Sequence, residues 1–171
     1  MSHLNTALAT PLIARVKPRA TISPAQVEVM YALFERYYDG ISASQFAADL
    51  ADKSYVIELR DGDTLRGFST MALIDFVCDG IQRRAIFSGD TIIDHRHWGE
   101  QALPLAFCEF AGSVYATAPD MPLYWFLISK GYRTYRYLKL FSRQYYPRED
   151  MTTPADEQAC LHHLALQRFT A

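Results

Sequence analysis

Ser88-Gly89-Asp90-Thr91 interrupts an otherwise apolar stretch with small and polar groups. Glycine inside a strand marks a bulge or the close approach of a ligand or another backbone. The aspartate beside it either caps a neighbouring loop or does proton chemistry, because an apolar strand environment raises a carboxyl pKa toward a useful value. A little further on, His95 and His97 form an H-x-H next to Asp94. Two such ligands in a loop fall short of the three or four that a bound metal needs, so no metal is expected, and Asp94 reads as a turn or cap residue. Cys108 lies in a helical stretch with nothing nearby to activate it and reads as a packed thiol. Tyr132, Tyr135, Tyr137, Tyr145 and Tyr146 are either packing or the lining of a pocket. Lys130, Arg133, Arg136, Lys139 and Arg143 form either a solvated face or a landing area for an acidic partner.

The elements that must hold these residues follow from periodicity and punctuation. A short first strand runs through Leu12, Ile13 and Val16 and is closed by Pro18. Ser23-Pro24-Ala25-Gln26 is a capping box, and the apolar series Val27, Met30, Tyr31, Phe34, Tyr37, Tyr38 predicts a helix as far as Gly40. Ser42 with Gln45 repeats the box for a helix ending near Asp52. Tyr55–Arg60, Thr64–Phe76 and Gln82–Asp94 then read as an antiparallel meander, with turns at Asp61-Gly62-Asp63 and Asp79-Gly80. Gly99–Thr117 returns to helical period with Pro104 in its first turn, Leu123–Ile128 is a buried strand, and Tyr132–Phe141 is a helix. In the tail, Leu161, Leu164, Ala165 and Arg168 stand at helical spacing. The order gives an α+β fold with a mixed, mostly antiparallel sheet flanked by helices.

The whole chain bounds the rest. Its 171 residues, half of them hydrophobic, suffice for a core that needs neither disulfide nor metal. We expect one domain over 11–148, with terminal extensions 1–10 and 149–171. Seventeen Lys and Arg against nineteen Asp and Glu give a net charge of −2, which argues against nucleic-acid binding driven by counterion release. Three cysteines without close spacing fit a reducing cytoplasm, and no apolar run is long enough for a membrane span.

This order, with the third meander strand leading into Asp94-His95-Arg96-His97-Trp98-Gly99-Glu100-Gln101 and a helix, resembles the GNAT acyltransferase superfamily over about Leu12 to Leu138. There an R/Q-x-x-G-x-G/A loop holds the pyrophosphate of coenzyme A on backbone N–H groups at a helix start, where orphan donors and the helix dipole favour an anion. Arg96 and Gly99 match that pattern, while Gln101 replaces its final small residue. The resemblance implies that His97, Trp98, Glu100 and Gln101 complete the donor loop, and that Thr91, Ile92 and Ile93 pair with the thioester arm like an added strand. The facing strand is the one that carries Trp125 and Phe126. The resemblance further implies that Asp90 takes a proton from the attacking amine and that Tyr135 or Tyr132 protonates the leaving thiolate.

The expected activity is therefore N-acyl transfer from acyl-CoA to a primary amine of a small molecule, amino acid or peptide. Two alternatives stay open: long-chain transfer from an acyl carrier protein, which Gln101 and the basic last helix motivate, and a non-catalytic binding protein on the same fold. A homodimer is compatible with an exposed sheet edge.

Overall fold

The structure, a computed structural model, describes residues 11–129 and 132–169. The expected extension 1–10 and Lys130 of the basic cluster lie outside the described residues, as do the side chains of Tyr132, Arg133 and Tyr137. The elements are β1 (Ile13–Pro18), α1 (Pro24–Phe34), α2 (Ala43–Ala51), β2 (Tyr55–Asp61), β3 (Thr64–Cys78), β4 (Ile81–Ile93), α3 (Ala102–Thr117), β5 (Leu123–Leu127), α4 (Tyr132–Phe141) and α5 (Ala155–Phe169). The five strands form one sheet in sequence order, with β2 antiparallel to both β1 and β3.

Both capping boxes form: the side chains of Ser23 and Ser42 accept from the N–H groups of Gln26 and Gln45, whose own side chains accept from the cap N–H groups. Two helices differ from expectation. The first ends at Phe34 and passes into a tighter turn, in which the Phe34 carbonyl accepts from the N–H groups of both Tyr37 and Tyr38, and Gly40 takes φ +82° beyond that turn. The other, α3, starts at Ala102, since Trp98–Gln101 are used in turns and Gly99 takes φ +95°, a left-handed conformation open to glycine.

Among the described residues two compact units can be distinguished: 11–73 with Ser88–Pro119, and Ile74–Phe87 with 120–129 and 132–169. The core of the first joins Met30 and Phe34 of α1, Phe46 and Leu50 of α2, Phe68 of β3 and Ile92 of β4, each 3% exposed or less. Across the sheet, α3 packs on β1 and β2, with the Phe110 ring 4.9 Å from that of Tyr55. In the second unit, α5 buries Cys160 and Leu164, the His163 ring stacks on Phe76, and Phe169 meets Phe87. Arg83 is buried there, donating from Nη1 to the Cys78 carbonyl and to the Cys160 sulfur. Burial pushes the Cys160 thiol up to about 11. The tail thus supplies core to its unit.

Two irregularities shape β3 and β4. Leu59 faces Gly67 while Arg60 faces Leu65, which leaves Arg66 as the extra residue of a bulge. Near the hairpin turn Asp75 is bonded to Arg84, whereas further along Ser69 Oγ meets Thr91 Oγ1 at 2.8 Å. From the first pair to the second, β4 uses one residue more than β3. The surplus falls somewhere between Arg84 and Thr91, a stretch that contains Gly89.

Candidate functional site

The end of β4 is tied down before the chain leaves the sheet. The Asp94 N–H donates to the Arg66 carbonyl at 2.7 Å, so the bulge on β3 sets where β4 stops. Gly67 permits this approach: a Cβ there would stand 2.7 Å from the Ile92 carbonyl oxygen and 3.2 Å from Ile93 Cα. Asp94 caps the turn that follows, accepting from the Arg96 N–H at 3.2 Å. Its carboxylate, 3% exposed, also accepts from Arg96 Nε at 3.1 Å and Nη2 at 2.7 Å, with Arg66 Nη1 at 3.7 Å. The Arg96 hydrogen bonds hold this carboxyl far below the usual carboxylate range, against the upward push of burial. Asp94 is thus the cap that its position suggested, and it holds one edge of the Arg96 guanidinium, Nε and Nη2.

The remaining loop residues turn most of their polar groups inward. His97 is buried, and its Nδ1 lies 2.6 Å from Glu100 Oε1, while Glu100 Oε2 accepts the Leu12 N–H at 2.9 Å. Burial works against the Glu100 charge, but these two partners more than offset it and lower its pKa. The loop's two carboxylates are therefore both engaged by donors. Trp98 is 63% exposed, with its indole N–H donated to the Ile93 carbonyl, and the Gln101 side chain folds back to the Gly99 carbonyl. The N–H groups of Arg96, His97, Trp98 and Glu100 are all used within the loop. Beyond them, helix geometry leaves the N–H groups of Gln101, Ala102 and Leu103 without an intrahelical acceptor, and Pro104 has none to give. What the chain presents to an anion is thus a short set of main-chain donors at the positive end of α3.

Asp90, Thr91, Ile92 and Ile93 lie along the last turns of β4, with Ile92 in the core against α1 and α2 and Thr91 bonded to Ser69. Asp90 is half-buried beside Ser88, which is 7% exposed. In the second unit, Tyr135 of α4 donates to the Pro147 carbonyl at 3.1 Å and makes an edge contact with Tyr145. Burial, followed by Tyr145 and Glu149, raises its pKa. Of the basic cluster, Lys139 pairs with Glu149 at 2.8 Å.

Several polar residues at or near the site carry no signal in the sequence. Tyr37, which spacing assigns to the apolar face of α1, instead follows the helix, and its hydroxyl accepts the His95 N–H at 3.0 Å. The H-x-H is thereby divided, one histidine turned to Tyr37 and the other to Glu100. Among the described residues no group of three or more His, Cys, Asp and Glu is placed to hold a metal ion. Glu58 is fully buried on β2, with Lys17 and Arg60 each at 2.9 Å from Oε2. Burial opposes its charge, but those two cations lower its pKa all the same. Only the fold brings Lys17 to Glu58, whereas Arg60 is two residues away on the same strand.

Comparison with protein-family models finds no match, and comparison with curated proteins finds none. Solved structures do match. An acetyltransferase from Trypanosoma brucei is 17% identical, with 84% of this chain and 99% of that one covered at a TM-score of 0.52. An aminoglycoside N-acetyltransferase in complex with CoA is 8% identical, with 86% and 99% covered at 0.58. A predicted acetyltransferase from Clostridium acetobutylicum, solved with acetyl-CoA, is 12% identical, with 84% and 95% covered at 0.56. No helix among the described residues is long and apolar enough to cross a membrane.

Proposed function

From the GNAT acyltransferase fold that this chain has, we propose that it is an N-acyltransferase moving an acyl group from acyl-CoA to a primary amine of a small molecule or peptide. The observation that carries this reading is the exit of β4. A capped turn runs from Asp94 through Gly99 into α3 and leaves main-chain N–H donors at the helix start, where a pyrophosphate is best held. The structural neighbours solved with CoA and acetyl-CoA support the same donor.

In the proposed reaction the neutral amine nitrogen attacks the thioester carbonyl carbon, the C–S bond breaks, and the acyl group leaves on nitrogen as an amide. Asp90 takes the proton that the nitrogen sheds, directly or through water, and a tyrosine of α4, Tyr135 or Tyr132, returns one to the departing thiolate. To serve in this way, Tyr135 has to release the Pro147 carbonyl. Thr91, Ile92 and Ile93 offer the strand edge for the pantetheine arm.

A thermal-shift titration with coenzyme A, acetyl-CoA and a long-chain acyl-CoA tests the donor, because a ligand selective for the folded state raises Tm by mass action. Any of the three should raise it. With an accepted amine, Asp90→Asn should lower kcat by roughly a hundredfold or more, the scale of general-base catalysis. Absence of a shift with all three overturns the coenzyme A reading, and an unchanged kcat removes Asp90 as the base.

One observation favours a second reading, the acyl carrier protein as donor: the Arg96 side chain bonds Asp94 through Nε and Nη2, which leaves fewer of its donors for a nucleotide phosphate. Faster turnover with acyl carrier protein than with the matching acyl-CoA would select it. Thioester binding without transfer to any amine would select a binding protein instead.

A further inference from the structure

Besides its ties to Leu12 and Arg66, the donor loop is held by a hydroxyl from the α1–α2 connection. Tyr37 stands in the connection between α1 and α2, and its Oη accepts the His95 N–H at 3.0 Å and lies 3.5 Å from His95 Nδ1. His95 is the first residue of the turn after Asp94, so this contact falls where the loop leaves the sheet.

Both ends of the α1–α2 connection are firm. Phe34, at the end of α1, is 1% exposed and stacks on Tyr38, the N–H groups of Tyr37 and Tyr38 return to the Phe34 carbonyl, and the Tyr31 hydroxyl donates to the Ile41 carbonyl. A connection anchored in this way cannot follow the loop freely. The phenol of Tyr37 reaches across to the turn, and phenylalanine would keep the ring and lose the reach.

We propose that Tyr37 is a positioning residue that makes the α1–α2 connection and the donor loop one mechanical piece, so that donor binding at residues 95–103 also quiets residues 35–42. The inference rests on the donor-loop reading above. It adds a consequence that the reading lacks, namely that the segment after α1 senses donor occupancy through one hydrogen bond.

The test is amide hydrogen exchange resolved by residue, on the full chain and on Tyr37→Phe, with and without coenzyme A. In the unaltered protein, coenzyme A should slow exchange over both 95–103 and 35–42. In the variant it should slow the first segment only, and the donor Kd should rise roughly threefold to tenfold, the worth of one hydrogen bond. Without ligand, the His95 amide should exchange faster in the variant. Equal protection of 35–42 in the two proteins overturns the coupling, as does protection in neither while 95–103 is protected. If coenzyme A protects nothing in either protein, the donor reading fails. The latch is then judged on the ligand-free His95 amide, and an unchanged exchange rate there overturns it.

Discussion

Asp94 shows how much a buried carboxylate depends on its partners. Its pKa is depressed in the folded protein, so its charge adds stability that is complete above the unfolded value and disappears as pH falls through the folded one. Stability should hold from neutral pH down to about pH 4, where free aspartate titrates, and decline below that. Asp94→Asn should lower Tm at neutral pH and flatten the decline, which thermal melts from pH 7 to pH 2.5 would read; an unaltered acid slope would put the titration elsewhere. The capping role of Asp94 was legible because it is local: an aspartate two residues before its N–H partner. The reach of Glu100 back to Leu12, of Tyr37 to His95 and of Lys17 to Glu58 joins residues far apart in sequence, and spacing holds no record of such pairs.

Strands and helices were readable in proportion to how local their determinants are. The two capping boxes fix helix starts from four residues each and formed as read. The end of α1 and the start of α3 did not follow their glycines, because turn hydrogen bonds at Phe34 and within residues 94–101 decide them. The most demanding position in the sheet, Gly67, looks in sequence like any glycine of a strand; its necessity comes from the β4 backbone that passes over it. Gly67→Ala should cost about 1–3 kcal/mol, the range for forcing atoms into filled space, because the obstruction is main chain and cannot rotate aside. Urea unfolding measures the loss, and a parallel loss of coenzyme A affinity would follow from displacement of Ile92 and Ile93. A neutral substitution would mean that β4 shifts at little cost.

At the scale of the molecule, the sequence shows no linker, and the structure explains why. The division into two units falls within β3 and β4, after Leu73 and before Ser88, so the same two strands serve both and no glycine-rich or proline-rich joint is needed. The residues after 148 contribute Cys160 and Leu164 to the interior of the second unit. Leu164→Ala should therefore cost about 2–5 kcal/mol, as a core truncation does, and expose the Phe76–Phe87 region to protease in pulse experiments. A change below about 0.5 kcal/mol would show α5 to be an accessory. The chain has two tryptophans, Trp98 in the first unit and Trp125 in the second. Trp98 is open to water with its indole N–H fastened to Ile93, on the loop proposed to hold the donor. The protein thus carries its own lamp at the point of interest: with Trp125 replaced, the colour and quenching of the remaining emission would follow that loop in solution without any label attached.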